Sequence, residues 1–190
     1  MRYSKNYKET SRRKIVAVAA KEFLRHGIAG FRVNDVMKGA GLTQGAFYGH
    51  FSSKEQLVKE ALHESSQKSH FAQQAEKGST LEELICYYLH DEHRSHPEAG
   101  GCPAAALIGE ITRHPKGTRE ALVSEIKKMV SLIEARLPNT KSDTARTNTA
   151  LAIFSTIMGA IQFARVTTDA SLSKRILEAS KEAALAMAKS

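Results

Sequence analysis

The chain is poor in the features that mark several large protein classes. Its 190 residues include only four prolines and twelve glycines, too few for a disordered or fibrous chain. Two cysteines, Cys86 and Cys102, do not make a disulfide framework, so a reducing, cytoplasmic setting is expected. No run of about 20 apolar residues stands out, which predicts no membrane span. The amino terminus has no apolar core behind its charges, so no secretory signal is expected. No internal repeat is visible, and no segment alternates apolar and polar residues as a half-buried strand does. A glycine-rich phosphate loop, a nucleophile elbow and a metalloprotease histidine pair are all missing. The reading is therefore not an enzyme, with no cofactor and no metal.

What is present is charge in one place. Residues 1–54 hold eleven Lys/Arg against three Asp/Glu, a net of +8, whereas residues 55–190 hold seventeen of each. A basic head on a neutral body is the footprint of a polyanion-binding protein, because lysines and arginines release counterions condensed on nucleic-acid phosphates. A merely solubilising surface is the competing explanation.

The local pattern of the head is helical and short. Residues 10–26 carry Ile15, Val18, Ala19, Phe23 and Leu24 at the spacing of one apolar helix face, ended by Gly27. Residues 33–40 form a second helix with Val33, Val36 and Met37 inward. Gly41 suits the left-handed end of that helix, and Thr43 suits the cap of a third over 43–51. Phe47 and Phe51 stand four apart, so they share the face that anchors this third helix. A helix so short cannot stabilise itself. Its neighbours must hold it, which frees its outer face for a partner. Ser53 with Gln56, and Ser52 with Glu55, are two overlapping capping-box candidates for the next helix.

The remaining segments also read as helices: 53–76, 81–94 (capped by Thr80 and Glu83), 103–114, 117–137, 142–168 and 171–189. The fold class is thus all-α with about nine helices. A head domain over 1–54 is joined by a linking helix to a body over 55–190. In the last two helices small residues recur, among them Ala152, Ser155, Gly159, Ala179, Ala183 and Ala186. Both helices are apolar on more than one stripe. Two copies of the pair can close into a four-helix bundle; a buried core pair in a monomer is the alternative.

These residues carry a resemblance. Ala19-Ala20-Lys21-Glu22-Phe23-Leu24-Arg25-His26-Gly27, Asp35-Val36-Met37, Ala40-Gly41-Leu42-Thr43, Gln44-Gly45, Phe47-Tyr48, His50-Phe51 and Ser53-Lys54-Glu55-Gln56-Leu57 are similar to the pattern of the TetR family of bacterial transcriptional regulators. One departure is Arg32, where the family often has a capping Thr; arginine suits phosphate better than a cap. The resemblance implies a homodimeric repressor that binds a double-stranded DNA operator of palindromic form and is released by a small-molecule inducer. Its DNA-binding residues fall on Arg32, Thr43, Gln44, Gly45, Ala46, Tyr48, His50 and Lys54, with arm residues Arg2, Lys5 and Lys8 adding charge. For His50 a structural role is an equal alternative.

The resemblance also implies a ligand pocket in the body, for which Leu62, Phe71, Ile85, Tyr88, Leu107, Met129, Phe154 and Met158 are candidates beside a plain core role. Some similar regulators have a Gly-Cys like Gly101-Cys102 and respond to electrophiles. Cys102 precedes Pro103 at a helix start, where free amides favour a thiolate, so a thiol sensor is one expectation and a small buried side chain the other. A thiol-based redox protein or enzyme using Cys102 is the alternative function, and a non-specific nucleic-acid scaffold a third. Cys86 reads as core. His90, His93 and His96 match no closed zinc motif.

Overall fold

A computed structural model describes residues 5–95, 101–139 and 142–189. Ten α-helices and one 3-10 helix lie among them, with no strand. They are α1 (Lys5–Gly30), α2 (Val33–Gly39), the 3-10 helix Gln44–Gly49, α3 (Lys54–Gln67), α4 (His70–Glu76), α5 (Leu81–Tyr88), α6 (Asp91–Ser95), α7 (Pro103–Ile111), α8 (Lys116–Glu134), α9 (Asp143–Val166) and α10 (Ala170–Lys189). The head is α1, α2 and the 3-10 helix, closed by α3. In the body, α9 packs on α8 and α10, while α3 and α1 lean on α8 and α7.

Helix α1 starts before the predicted 10–26 and takes in part of the expected basic arm. Arg2 and the side chain of Lys5 lie outside the described residues. Gly27 has φ 69° and ψ 174° and breaks the helical path inside α1, as its freedom at positive φ permits. Ile15, Ala19 and Phe23 are buried as expected, and Val16 and Ala20 join them. Val18 is only half-buried, at the rim beside Gly39, where an added Cβ would stand 2.9 Å from its Cγ1. The buried face is broader than one stripe because α1 meets α2, α3 and α7 together.

Two long helices read from the sequence are each divided. The segment 53–76 breaks at Ser69, whose hydroxyl donates to the Ser66 carbonyl at 2.7 Å and accepts from the Ala72 amide at 3.3 Å. A serine that caps its own helix start competes with helix continuation. The segment 81–94 breaks after Tyr88. Its carbonyl accepts a hydrogen bond from the His93 ring at 2.7 Å, and the Glu92 amide turns to His90 Nδ1 instead. Elsewhere the ends shift by a few residues: α7 stops at Ile111, and α8 starts at Lys116 behind Pro115 and stops at Glu134.

Helix ends are satisfied by side chains, as buried backbone groups require. Thr80 and Glu83 form a reciprocal capping box on α5, as predicted. Ser53 caps α3 through the Gln56 amide, but Gln56 reaches back to Ser52 rather than to Ser53. The Ser52–Glu55 pairing is not the one formed. Arg136 donates to the carbonyls of Ala75 and Ser79 behind α4.

Helix α9 is long and apolar enough to cross a membrane, with mean hydropathy 1.4 over its best 18 residues. Threonines and small residues interrupt its apolar run without lowering the mean, so the segment escapes a search for an unbroken run. Ile153, Ile157, Ile161 and Ala164 of this helix are buried within the fold, the behaviour of a core helix. A Thr80→Ala variant should unfold at lower urea concentration, losing about 1 kcal/mol of stability with its cap.

Candidate nucleic-acid interface

The recognition segment hangs from two rings. Phe47 and Phe51 are both buried, 5.6 Å apart and near parallel at 24°, as the four-residue spacing predicts. The segment between Thr43 and His50 is a single 3-10 helix rather than an α-helix. Tighter winding suits a piece this short, packed on α2. Before it, Gly41 takes φ 73° and the Leu42 amide bonds back to the Met37 carbonyl at 2.9 Å, ending α2 in the manner expected.

The outward face carries the predicted residues. Thr43, Gln44 and Gly45 are exposed, Tyr48 is 79% exposed, and Ala46 is half-buried. Thr43 occupies the cap position with extended backbone, yet its side chain makes no cap hydrogen bond. The predicted capping role is therefore absent; a 3-10 start puts the amides out of its reach. Arg32 sits at the start of α2 with no side-chain cap either, consistent with its reading as a poor cap. An exposed aromatic ring, a free amide side chain and two hydroxyls on one convex tip are groups that hydrogen-bond base edges and phosphates.

His50 and Lys54 have further duties. The His50 imidazole is half-buried, and its Nδ1 is buried without a partner among the described residues. Burial, then the nearby charges of Lys8 and Arg12, lower its pKa. Near neutral pH it is an uncharged hydrogen-bonding group. The Lys54 ammonium donates to the Phe31 carbonyl at 2.9 Å and lies 4.7 Å from the Phe31 ring centroid. It thus tethers the strand of chain entering α2 besides facing outward.

Sequence reasoning missed the residue that ties the head together. Arg12 in α1 donates to the His50 carbonyl, pairs with Glu60 of α3 through two nitrogens, and stacks 4.2 Å over the Phe51 ring. Arginine's planar fork suits such a junction. In the sequence Arg12 is one basic residue among several, with nothing to distinguish it.

The body candidates separate. Phe71 and Tyr88 meet edge to face at 5.8 Å, and the Tyr88 hydroxyl donates to Met158 Sδ at 2.8 Å. Ser69, His70, Tyr87, His93 and Cys102 complete this cluster, which leaves no water-sized opening. Met129 instead borders an open groove between α3, α4 and α8. Leu62, Ile85, Leu107 and Phe154 are plain core. An open groove of about 890 Å³ runs between α1 and α3.

Of the two expectations for Cys102, the structure fits the small buried side chain. Cys102 does stand at the start of α7, but it is 3% exposed, and burial pushes its thiol up despite the amides of Ala104 and Ala105 and the Tyr88 hydroxyl. Desolvation outweighs the helix end, so no thiolate is favoured. Cys86 is half-buried rather than core. His90 and His93 turn to different partners, His96 lies outside the described residues, and no group of three or more His, Cys, Asp or Glu placed to hold a metal ion occurs among the described ones.

On α9 and α10 an apolar face stays uncovered. Ala152, Ser155, Ala179, Ala183 and Ala186 are exposed and Gly159 half-buried. Leu151, Phe163, Val166 and Leu172 are exposed beside them, Phe163 at 67% and Val166 at 80%.

The architecture is a basic helix-turn-helix head on an all-helical body. Residues 15–61 match the model of a family described as bacterial regulatory proteins, tetR family. The chain is similar to the probable HTH-type transcriptional regulator ArpR of Pseudomonas putida, 33% identical over 89 residues that cover 45% of this chain and 41% of that protein. It thus spans about two fifths of that relative's length. It is 28% identical over 154 residues to the HTH-type transcriptional regulator LmrA of Bacillus subtilis, covering 75% of this chain and 79% of that one. A solved TetR transcriptional regulator from Chloroflexus aurantiacus superposes with TM-score 0.70 and 25% identity, covering 97% of this chain and 95% of the other. The likeness to the tetR family of bacterial regulatory proteins thus lies in residues 15–61.

His93 gives a pH prediction. Burial, with Arg165 and His70 nearby, lowers its pKa from 6.5 to about 4, against the bond to the Tyr88 carbonyl. Between those values the unfolded chain binds the proton and the folded chain does not, so stability falls as pH falls. Chemical denaturation at about pH 7.5 and about pH 4.5 should show a smaller acid loss for His93→Gln than for the natural chain.

Proposed function

We propose that the protein is a dimeric transcriptional repressor that binds a palindromic DNA operator and is released by a small molecule. The observation that carries this is the coincidence of charge and shape: the whole net +8 lies in residues 1–54, behind the exposed tip of Thr43, Gln44 and Tyr48. Residues 1–54 act as the DNA-binding domain and 55–190 as the ligand-binding and dimerisation domain, with α3 joining them.

Two heads related by a twofold axis present their tips to successive major grooves about 34 Å apart, so the site is two-fold symmetric. Gln44 reads a base edge, as its amide can pair with adenine, and Ala46 meets a thymine methyl. Gly45 lets the backbone approach. Thr43 and Tyr48 bond phosphates or base edges, and Arg32, Lys54 and Lys8 meet phosphates. His50, uncharged near neutral pH, serves as a hydrogen-bond donor to phosphate. The uncovered face of α9 and α10 closes the dimer, since two such pairs make a four-helix bundle. The inducer's seat is the Phe71–Tyr88–Met158 region. It is closed here, so a ligand that fits must favour an opened state, and that preference shifts the population of head spacings. A DNA partner places the protein in the cytoplasm. The thiol-redox alternative is set aside, because the buried Cys102 is a poor nucleophile.

Selection from random duplexes, followed by binding titrations over a range of salt, tests the DNA reading. A two-fold symmetric site should emerge. Gln44→Ala should change base preference at one position per half-site, while Arg32→Ala should weaken every site alike and reduce the salt slope by about one. Binding that tracks only total phosphate would instead make the chain a non-specific scaffold. The dimer has its own test. An added Cβ at Gly159 meets nothing within 4 Å beyond the neighbouring backbone of its own helix, so Gly159→Glu should fold as a protomer. Sedimentation should then show a monomer, with operator affinity greatly reduced. A Gly159→Glu dimer would refute the assigned interface.

A further inference from the structure

We infer that Glu110 is a positioning residue for DNA binding, a body carboxylate that fixes the angle of the head. This rests on the DNA-binding reading above. Helix α1 loses its regular path at Gly27, which frees amides that a continuous helix would bond internally. The Ile28 amide donates to Glu110 Oε1 of α7. The break is cut to fit this carboxylate. A Cβ at residue 27 would stand 2.6 Å from Glu110 Oε2 and 2.9 Å from its Cδ, and φ +69° disfavours a side chain there as well.

The segment so held leads straight to the DNA-binding elements. Ile28 and Phe31 are 2% and 3% exposed. Phe31 packs edge to face on Phe23 at 4.8 Å, and its carbonyl takes the Lys54 ammonium at 2.9 Å. Arg32 and α2 follow at once. Residues 27–31 are therefore a strap with one end clasped by the body through Glu110 and the other by α3 through Lys54. At its opposite end α7 begins at Cys102, inside the Tyr88 cluster. A nine-residue helix spans about 13 Å as a rigid piece. Glu110 thus carries the position of α7 to the strap without passing through α3.

Releasing the clasp should loosen the angle between head and body. In a dimer this appears as tolerance of altered half-site spacing, whereas base preference within each half-site, set by the tip, stays the same. The test uses the full chain and duplexes taken from the selected site with spacers one base pair longer and shorter. For Glu110→Ala, Ile28 amide exchange should accelerate about tenfold or more, and discrimination among spacings should fall about tenfold, in line with loss of a bond to a charged acceptor. Glu110→Gln, which keeps an oxygen acceptor, should lie between Glu110→Ala and the natural chain, and it replaces Glu110→Ala if that variant fails to fold. Unchanged exchange and unchanged spacing discrimination in the folded variants would overturn the assignment. A natural chain that selects no DNA site would overturn the functional reading instead, and the exchange measurement would still report on the clasp.

Discussion

The head stands or falls with the guanidinium of Arg12. The 3-10 helix and α2 are each too short to hold their own backbone, and two aromatic anchors alone leave the far end of the tip unheld. Arg12 takes the carbonyl that ends the 3-10 helix, covers the Phe51 ring and binds Glu60 in α3. One planar cation therefore joins α1, the recognition tip and the linking helix, and does so where side chains are only partly shielded from water, so its desolvation cost is moderate. The outer surface of the tip is left with polar groups unspent on folding.

The body follows a different rule, in which burial overrides local electrostatics. The start of α7 should favour a thiolate at Cys102, and a histidine near pH 7 should carry partial charge at His93. Desolvation outweighs both tendencies: the thiol is pushed up and the imidazole down to about 4. Arg165 is the cation admitted beside them, its guanidinium spent on the His93 and Arg94 carbonyls behind α6. The cluster is polar in composition, yet burial disfavours charge on Tyr88, His93 and Cys102 alike.

Most of the architecture was legible, and the parts that were not share a cause. Gly41, Phe47, Phe51, Thr80 and Glu83 act through neighbours three to five residues away, and such periodic or capping signals are written in the sequence. The exposed tip and the uncovered face of α9 and α10 were legible for the same reason. Arg12–Glu60, Lys54–Phe31 and Glu110–Ile28 join residues far apart in the chain, and no spacing rule announces them. The helix breaks at Ser69 and after Tyr88 were missed because a side chain outcompeted the backbone for a hydrogen bond, a contest decided by tertiary geometry. Apolar residues on central helices have the same sequence pattern whether they line a pocket or fill a core; of the candidates, Phe71, Tyr88 and Met158 meet around one cluster.

The joint at Ser69 limits how far the head's lever reaches. Had the chain continued as one rod to Glu76, a torque at its far end would have turned the head directly. Because α3 stops at Gln67, the stiff arm extends fourteen residues, about 21 Å. Motion arising beyond it arrives through side-chain packing, in the manner of meshed gears rather than a crowbar.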